Sequence, residues 1–137
     1  MKIAIVGSRD YPRLNAVAAF VAVLPEDTEI VSGGARGVDQ AAADAARRSK
    51  KLLYVFEADW KAHGKRAGFL RNQEIVDYSD KVVAFWDGKS RGTLDTITKA
   101  RAAGKPVTVF GPDGQSLRPP SEAWRATESV TEGENDD

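Results

Sequence analysis

A doubly wound α/β fold with a parallel sheet is predicted by two features of the chain. Short apolar runs alternate with stretches of helical periodicity from Lys2 to Phe110, and each of the first, second and fourth runs ends in glycine and small polar residues. Alternating strands and helices imply right-handed crossovers, so every parallel strand ends at the same edge of the sheet. The expected architecture is a five-stranded sheet in the order 3-2-1-4-5 with helices on both faces. In such sheets the carboxyl edge at the switch in strand order is where ligands bind.

Lys2 to Val6 reads as a buried strand that ends in the turn Gly7-Ser8-Arg9. From Arg13 to Leu24 the residues Leu14, Val17, Ala18, Val21 and Leu24 fall on one helical face, taken as core, and Pro25 closes the helix. Thr28 to Ser32 is the second strand. It runs into Gly33-Gly34-Ala35-Arg36-Gly37 and then into a helix over Val38–Ser49, whose alanines allow close packing on a sheet. Arg47, Arg48, Lys50 and Lys51 sit at the end of that helix, where cations complement its dipole. Leu52 to Phe56 is the third strand, followed by a loop over Glu57–Arg66 and a helix over Ala67–Tyr78. Lys81 to Trp86 is the fourth strand and opens into a second glycine-rich loop, Asp87–Thr93. A helix then runs to Ala103, Gly104 caps it, and Val107–Phe110 is the fifth strand. These elements make a domain of residues 1–111. The extension 112–137 carries Leu117 and Trp124, expected to dock on the body, and ends in Thr127–Asp137, expected to be disordered because it has almost no apolar residue.

With 42% hydrophobic and 29% charged residues, the chain has the composition of a water-soluble globule. No apolar run approaches the roughly 20 residues that span a bilayer, so no membrane partner is expected and the cytoplasm is the expected compartment. The absence of cysteine excludes disulfides and thiolate chemistry, and a single histidine argues against a metal site. Formal charge is zero, yet the acids Glu128, Glu132, Glu134, Asp136 and Asp137 offset a surplus of five positive charges in residues 1–127. A body of that sign suits an anionic ligand.

The glycines after the second strand are spaced G-G-x-x-G, and the chain contains neither G-x-x-x-x-G-K-[ST] nor G-x-G-x-x-G after its first strand. Their chemistry is still that of anion binding: glycine lets bare N–H groups approach a ligand, and the helix N-terminus that follows carries roughly half a positive charge. Convergent strand ends bring Gly7–Arg9, Gly33–Gly37 and Asp87–Thr93 to one crevice. Arg9, Arg36, Lys65, Arg66, Arg71, Lys89 and Arg91 lie on or beside these loops, which points to a phosphate-bearing ligand.

Gly7-Ser8-Arg9, Ser32 to Asp39, Trp60 with Gly64, Ala67-Gly68, Arg71-Asn72, Phe85 to Gly88 and Ser90 to Thr93 together resemble the SLOG superfamily in its YspA/YpsA-like branch, over residues 3 to about 110. The resemblance implies a Rossmann-like sheet that binds nucleotides or nucleotide-derived molecules, usually in an oligomer, here a homodimer or tetramer. Its wider membership includes cytokinin-activating phosphoribohydrolases and the DNA-processing protein DprA. Against the hydrolases, Arg71 falls on a catalytic arginine and Gly92-Thr93 on a G-T pair. Thr96 stands where their catalytic glutamate should be, and Asp95 is one residue off, a rotation of about 100° on a helix.

The candidate ligand-binding residues are therefore Gly7, Ser8 and Arg9 of the first loop and Ser32, Gly33, Gly34, Arg36, Gly37 and Asp39 of the second. Arg71 and Asn72 of the helix over Ala67–Tyr78 join them, with Asp87, Gly88, Ser90, Gly92 and Thr93 of the last loop. Arg71 is the natural bidentate phosphate ligand. Asp39 either complements a helix dipole or accepts from a ribose hydroxyl, and Asp87 either binds a ligand or shapes its turn. Trp60 and Trp86 either stack a base or pack in the core. The expected function is a sensor or binding module for a nucleotide or an NAD-derived ligand, with no required cofactor and no metal. The alternatives are a nucleoside monophosphate phosphoribohydrolase, using Arg71 and Asp95, and a module that binds single-stranded DNA.

Overall fold

In the computed structural model, which describes residues 1–117, the strands are β1 (Lys2–Gly7), β2 (Glu29–Ser32), β3 (Leu52–Val55), β4 (Lys81–Phe85), β5 (Val107–Phe110) and β6 (Ser116–Leu117). They form one sheet in the order β3-β2-β1-β4-β5-β6. The first five are parallel, in the expected order, with Ala4 of β1 level with Val31 of β2 and Val82 of β4. The helices are α1 (Leu14–Ala22), α2 (Val38–Arg48), the single turn α3 (Trp60–His63), α4 (Ala67–Tyr78) and α5 (Arg91–Ala102).

Side chains that alternate along a strand point to opposite faces, so a central strand in this sheet feeds two cores. Ile3 and Ile5 of β1 pack with Val17 and Val21 of α1 and with Val38, Ala42 and Ala46 of α2. Ala4 and Val6 pack on the other face with Ile75 and Val76 of α4 and Ile97 and Ala100 of α5. The alanines of α2 thus meet the sheet as their small size allows. The stripe on α1 is only partly core. Val17 and Val21 are buried and Leu24 packs against them beyond the helix end, but Leu14 is 39% exposed because it opens the first turn, before the helix closes on the sheet.

Two further departures have local causes. The segment Glu57–Arg66, expected as loop, contains α3 and a 3₁₀ turn, because the Asp59 carboxylate caps α3 by accepting from Ala62 N at 3.0 Å. Beyond Phe110 the chain adds β6, antiparallel to β5. Gly114, at φ +82°, closes a tight turn in which its N–H reaches the Gly111 carbonyl, and Gly111 N–H in turn reaches the Gln115 carbonyl. Tyr11 ties this return to α1's side of the sheet, its hydroxyl donating to the Gly111 carbonyl at 2.6 Å. The expectations for Trp124 and for Thr127–Asp137 lie outside the described residues.

Candidate functional site

With β1 at the centre, the crossovers to β2 and β4 leave in opposite directions, and the strand order switches between β1 and β4. At the carboxyl edge of that switch lies a cavity of about 530 Å³. The loop after β1 contributes Gly7, Arg9 and Asp10 to it, and the turn into α2 contributes Ala35 and Asp39. The α4 helix brings Phe69, Arg71 and Asn72, while Asp87, Lys89, Ser90, Gly92, Thr93 and Thr96 come from the loop after β4 and from α5. A smaller hollow of about 300 Å³ adjoins it, sharing Arg9, Trp60 and Arg71 and adding Gly33 and Gly34.

Each wall has a reason to stand where it does. Gly37, at φ +81°, ends the glycine turn against the backbone of Arg9, and a Cβ there would lie 2.4 Å from the Arg9 carbonyl oxygen. The first two loops are therefore in direct backbone contact, which a side chain would prevent. Ser8 is buried behind them and joins three elements. Its amide donates to the Phe85 carbonyl at 3.1 Å, its Oγ accepts from Asp87 N at 3.1 Å, and the same Oγ lies 3.5 Å from Thr93 Oγ1. Ser32 is buried as well, with its Oγ donating to the Asp39 carbonyl at 3.1 Å and accepting from Gly34 N at 3.2 Å. These two serines shape the loops from behind.

Asp87 takes up the turn role. Its Oδ1 accepts from the amides of Lys89 at 2.8 Å and Ser90 at 2.9 Å, and Ser90 Oγ caps α5 by accepting from Thr93 N at 3.3 Å. Burial pushes the Asp87 carboxyl up, but the Lys89 and Ser90 amides outweigh it and hold the group below its ordinary value. Asp87 is thus ionised at neutral pH.

Arg71 and Asn72 bridge the walls. Arg71 Nη1 donates to the Gly33 carbonyl, and its Nε donates to Asn72 Oδ1 at 3.2 Å. Asn72 Nδ2 donates to the Gly92 carbonyl at 3.3 Å and to Asp95 Oδ2 at 3.0 Å. Asp95 is absent from the cavity wall and pairs with Lys99 instead, whereas Thr96, on the adjacent helical position, faces the cavity with its Oγ1 donating to the Gly92 carbonyl. Arg36 is exposed, and neither it, Gly37 nor Gly88 lines the cavity.

Asp39 is 6% exposed. Its Oδ2 accepts from Ala35 N at 3.2 Å, and its Oδ1 has no partner of good hydrogen-bond geometry. Burial pushes its carboxyl up to about 6, against the opposing pull of the Ala35 amide, Arg71, the Gly7 amide and Arg9.

The rim holds what the loop pattern left out. Trp60 is 55% exposed and Phe69 47% exposed, and both border the cavity. Trp60 was readable as an aromatic beside the glycines, but Phe69 lies on a helix and its only signal is an apolar residue two places before Arg71. Trp86, by contrast, packs against the core beside α5, with its Nε1 donating to the Ser90 carbonyl at 3.0 Å. Lys65 and Lys89 also line the cavity and add positive charge.

Comparison with known proteins gives this architecture its context. The family model described as YAcAr, the YspA, cpYpsA-related SLOG family, matches residues 1–63. Gene 61 protein of Mycobacterium phage D29 is 40% identical over 93 residues, which cover 64% of this chain and 74% of that protein. Among solved structures, DNA processing protein A (DprA) from Streptococcus pneumoniae is similar with a TM-score of 0.68 and 25% identity, over 80% of this chain and 49% of that one. The chain thus spans about half the length of the pneumococcal protein. DNA processing protein A from Helicobacter pylori, whose structure is described for its single-stranded DNA binding mode, has a TM-score of 0.61 at 21% identity, over 98% of this chain and 74% of that one. That last likeness is one of fold.

Proposed function

The chain belongs to the YspA, cpYpsA-related SLOG family, and from that premise we propose that it binds a nucleotide or nucleotide-derived ligand in the cavity at the carboxyl edge of its sheet, as a binding module. The observation that carries this reading is the meeting of Arg9, Arg71, Lys65 and Lys89 with two exposed aromatic faces, Trp60 and Phe69, around one cavity of about 530 Å³. Cations and the N-terminus of α2 suit a phosphate, and an exposed indole or phenyl ring suits a base. Binding is preferred to cleavage because Thr96 offers a hydroxyl on the wall where the related hydrolases carry a carboxylate, and Asp95 is engaged by Lys99 and Asn72.

Calorimetric titration of adenosine monophosphate into the parent and Arg71→Ala proteins tests this. Loss of a charge-assisted contact of roughly 1.5–3 kcal/mol should weaken binding by about tenfold to 150-fold. Arg71 also holds the Gly33 carbonyl, so thermal melting of the variant checks that the body stays folded. Equal affinity in parent and variant would contradict the assignment.

A second reading is favoured by the likeness to DNA processing protein A together with the exposed aromatics among cations, a combination that also suits single-stranded DNA. It is separated from the first by titration with a short oligodeoxynucleotide at several salt concentrations. A groove that tracks several phosphates gives affinity falling steeply with salt, and a mononucleotide site gives a shallow dependence.

A further inference from the structure

Two buried side-chain oxygens among the described residues lack a hydrogen-bond partner, Ser79 Oγ and Asp39 Oδ1. Ser79 precedes β4 at the amino edge of the sheet, away from the cavity. Asp39 is in the cavity wall. Its other two oxygens are engaged in the turn: Oδ2 accepts from the Ala35 amide and the backbone carbonyl accepts from Ser32 Oγ. The Gly7 amide and Arg71 act on the carboxyl without a well-formed hydrogen bond to Oδ1, so this buried oxygen is open to a donor from a ligand.

The charges around it narrow the kind of donor. Arg9 from the loop after β1 and Arg71 from α4 both act on the carboxylate, and Lys65 and Lys89 line the same cavity. A metal ion or an ammonium group would have to enter against these four cations, and the described residues hold no group of three His, Cys, Asp or Glu side chains able to take a metal. A phosphate belongs with the cations and is repelled by the carboxylate itself. A neutral hydroxyl satisfies the open lone pair without adding charge.

We propose that Asp39 Oδ1 accepts a hydrogen bond from a sugar hydroxyl of the ligand, so that the cavity selects a ribonucleotide over its dideoxy counterpart, the 2′-deoxy form showing which of the two hydroxyls is bound. The proposal rests on the reading of the cavity as a nucleotide site and makes it specific. A ribose phosphate presents both required groups, an anion for the cations and a neutral donor for Asp39, within one small molecule.

The test is a calorimetric comparison of adenosine monophosphate with its 2′-deoxy and 2′,3′-dideoxy forms, on the parent protein and on Asp39→Ala and Asp39→Asn. The parent should prefer the ribonucleotide to the dideoxy form by about tenfold or more, since a site built to bind a hydroxyl discriminates against its loss. Asp39→Ala should bring the two within about twofold. Asp39→Asn, whose one amide oxygen can keep the Ala35 contact and so guards against a folding defect, should lower the preference by putting an NH2 donor where the accepting Oδ1 stood. Equal affinity for the three nucleotides in the parent, or an undiminished preference in both variants, overturns the role of Asp39 while leaving the cavity as a nucleotide site. Failure of the parent to bind any of the three overturns both.

Discussion

Gly37→Ala is expected to destabilise the fold by about 3 kcal/mol or more, a drop of about 10 °C or more in melting temperature for a chain of this size. Two costs add. Gly37 sits at φ +81° and ψ −124°, a conformation that residues with a Cβ rarely adopt. A Cβ there would also lie 2.4 Å from the carbonyl oxygen and 2.6 Å from the Cα of Arg9, atoms of the backbone that cannot swing aside. Relief requires the first loop to separate from the start of α2, which moves Arg9 in the cavity wall, so nucleotide affinity should fall with stability. Gly88→Ala is the control. Gly88 has φ +83° but nothing within 4 Å of an added Cβ, so only the conformational cost of about 1 kcal/mol applies. Equal melting of the two variants by thermal denaturation would show that the contact between the loops carries no stability.

The second large effect is a pH dependence centred on Asp39. Its carboxyl titrates near 6 in the folded chain and near the ordinary 3.8 when unfolded. Between these values the folded state keeps a proton that the unfolded state has lost, so this group's contribution to stability falls as pH rises through the window and is constant above it. Below 3.8 both states are protonated and the cost disappears. The neutral-pH cost is about 3 kcal/mol. Asp39→Asn does not titrate and can still accept from the Ala35 amide. Urea unfolding of both proteins from pH 4 to pH 7 should therefore show the variant gaining most of this, about 2.5 kcal/mol, on the parent, because the other acids are common to both and cancel. A difference that stays flat across that range would mean that the Asp39 carboxylate is well solvated or well paired.

These two residues also mark how far the site was legible in the sequence. Alternating apolar runs and helical stripes were enough for the five parallel strands and their order, because a parallel sheet has few ways to be wound and all of them gather the strand ends. Once Gly7, Gly33 and Gly92 are placed at such ends, their loops converge whatever the details. What sequence spacing does not contain is which side of a loop faces the ligand. Ser8 and Ser32 turned out to brace the loops from behind, and Arg36 is exposed without lining the cavity, although all three are neighbours of residues that line it. The rotation of about 100° per residue on a helix was readable for Thr96 and Asp95, and the structure has the former on the wall and the latter on Lys99. Phe69 was not readable in this way, since an apolar residue on α4 is expected to seek the core rather than stand 47% exposed on a rim. Two-residue β6 lies below the length at which an apolar pattern can be seen at all.

The central claim is that a nucleotide occupies the carboxyl edge between the loops after β1, β2 and β4. Titration of adenosine monophosphate into ¹⁵N-labelled protein, followed by amide chemical shifts, tests it most directly. The account predicts movement concentrated at Gly33, Gly34, Ala35, Asp39, Gly92 and Thr93, around the cavity and its adjoining hollow, with Lys50 and Gly104 at the opposite edge unmoved. Shifts concentrated at that opposite edge, or no shifts at millimolar nucleotide, would contradict it.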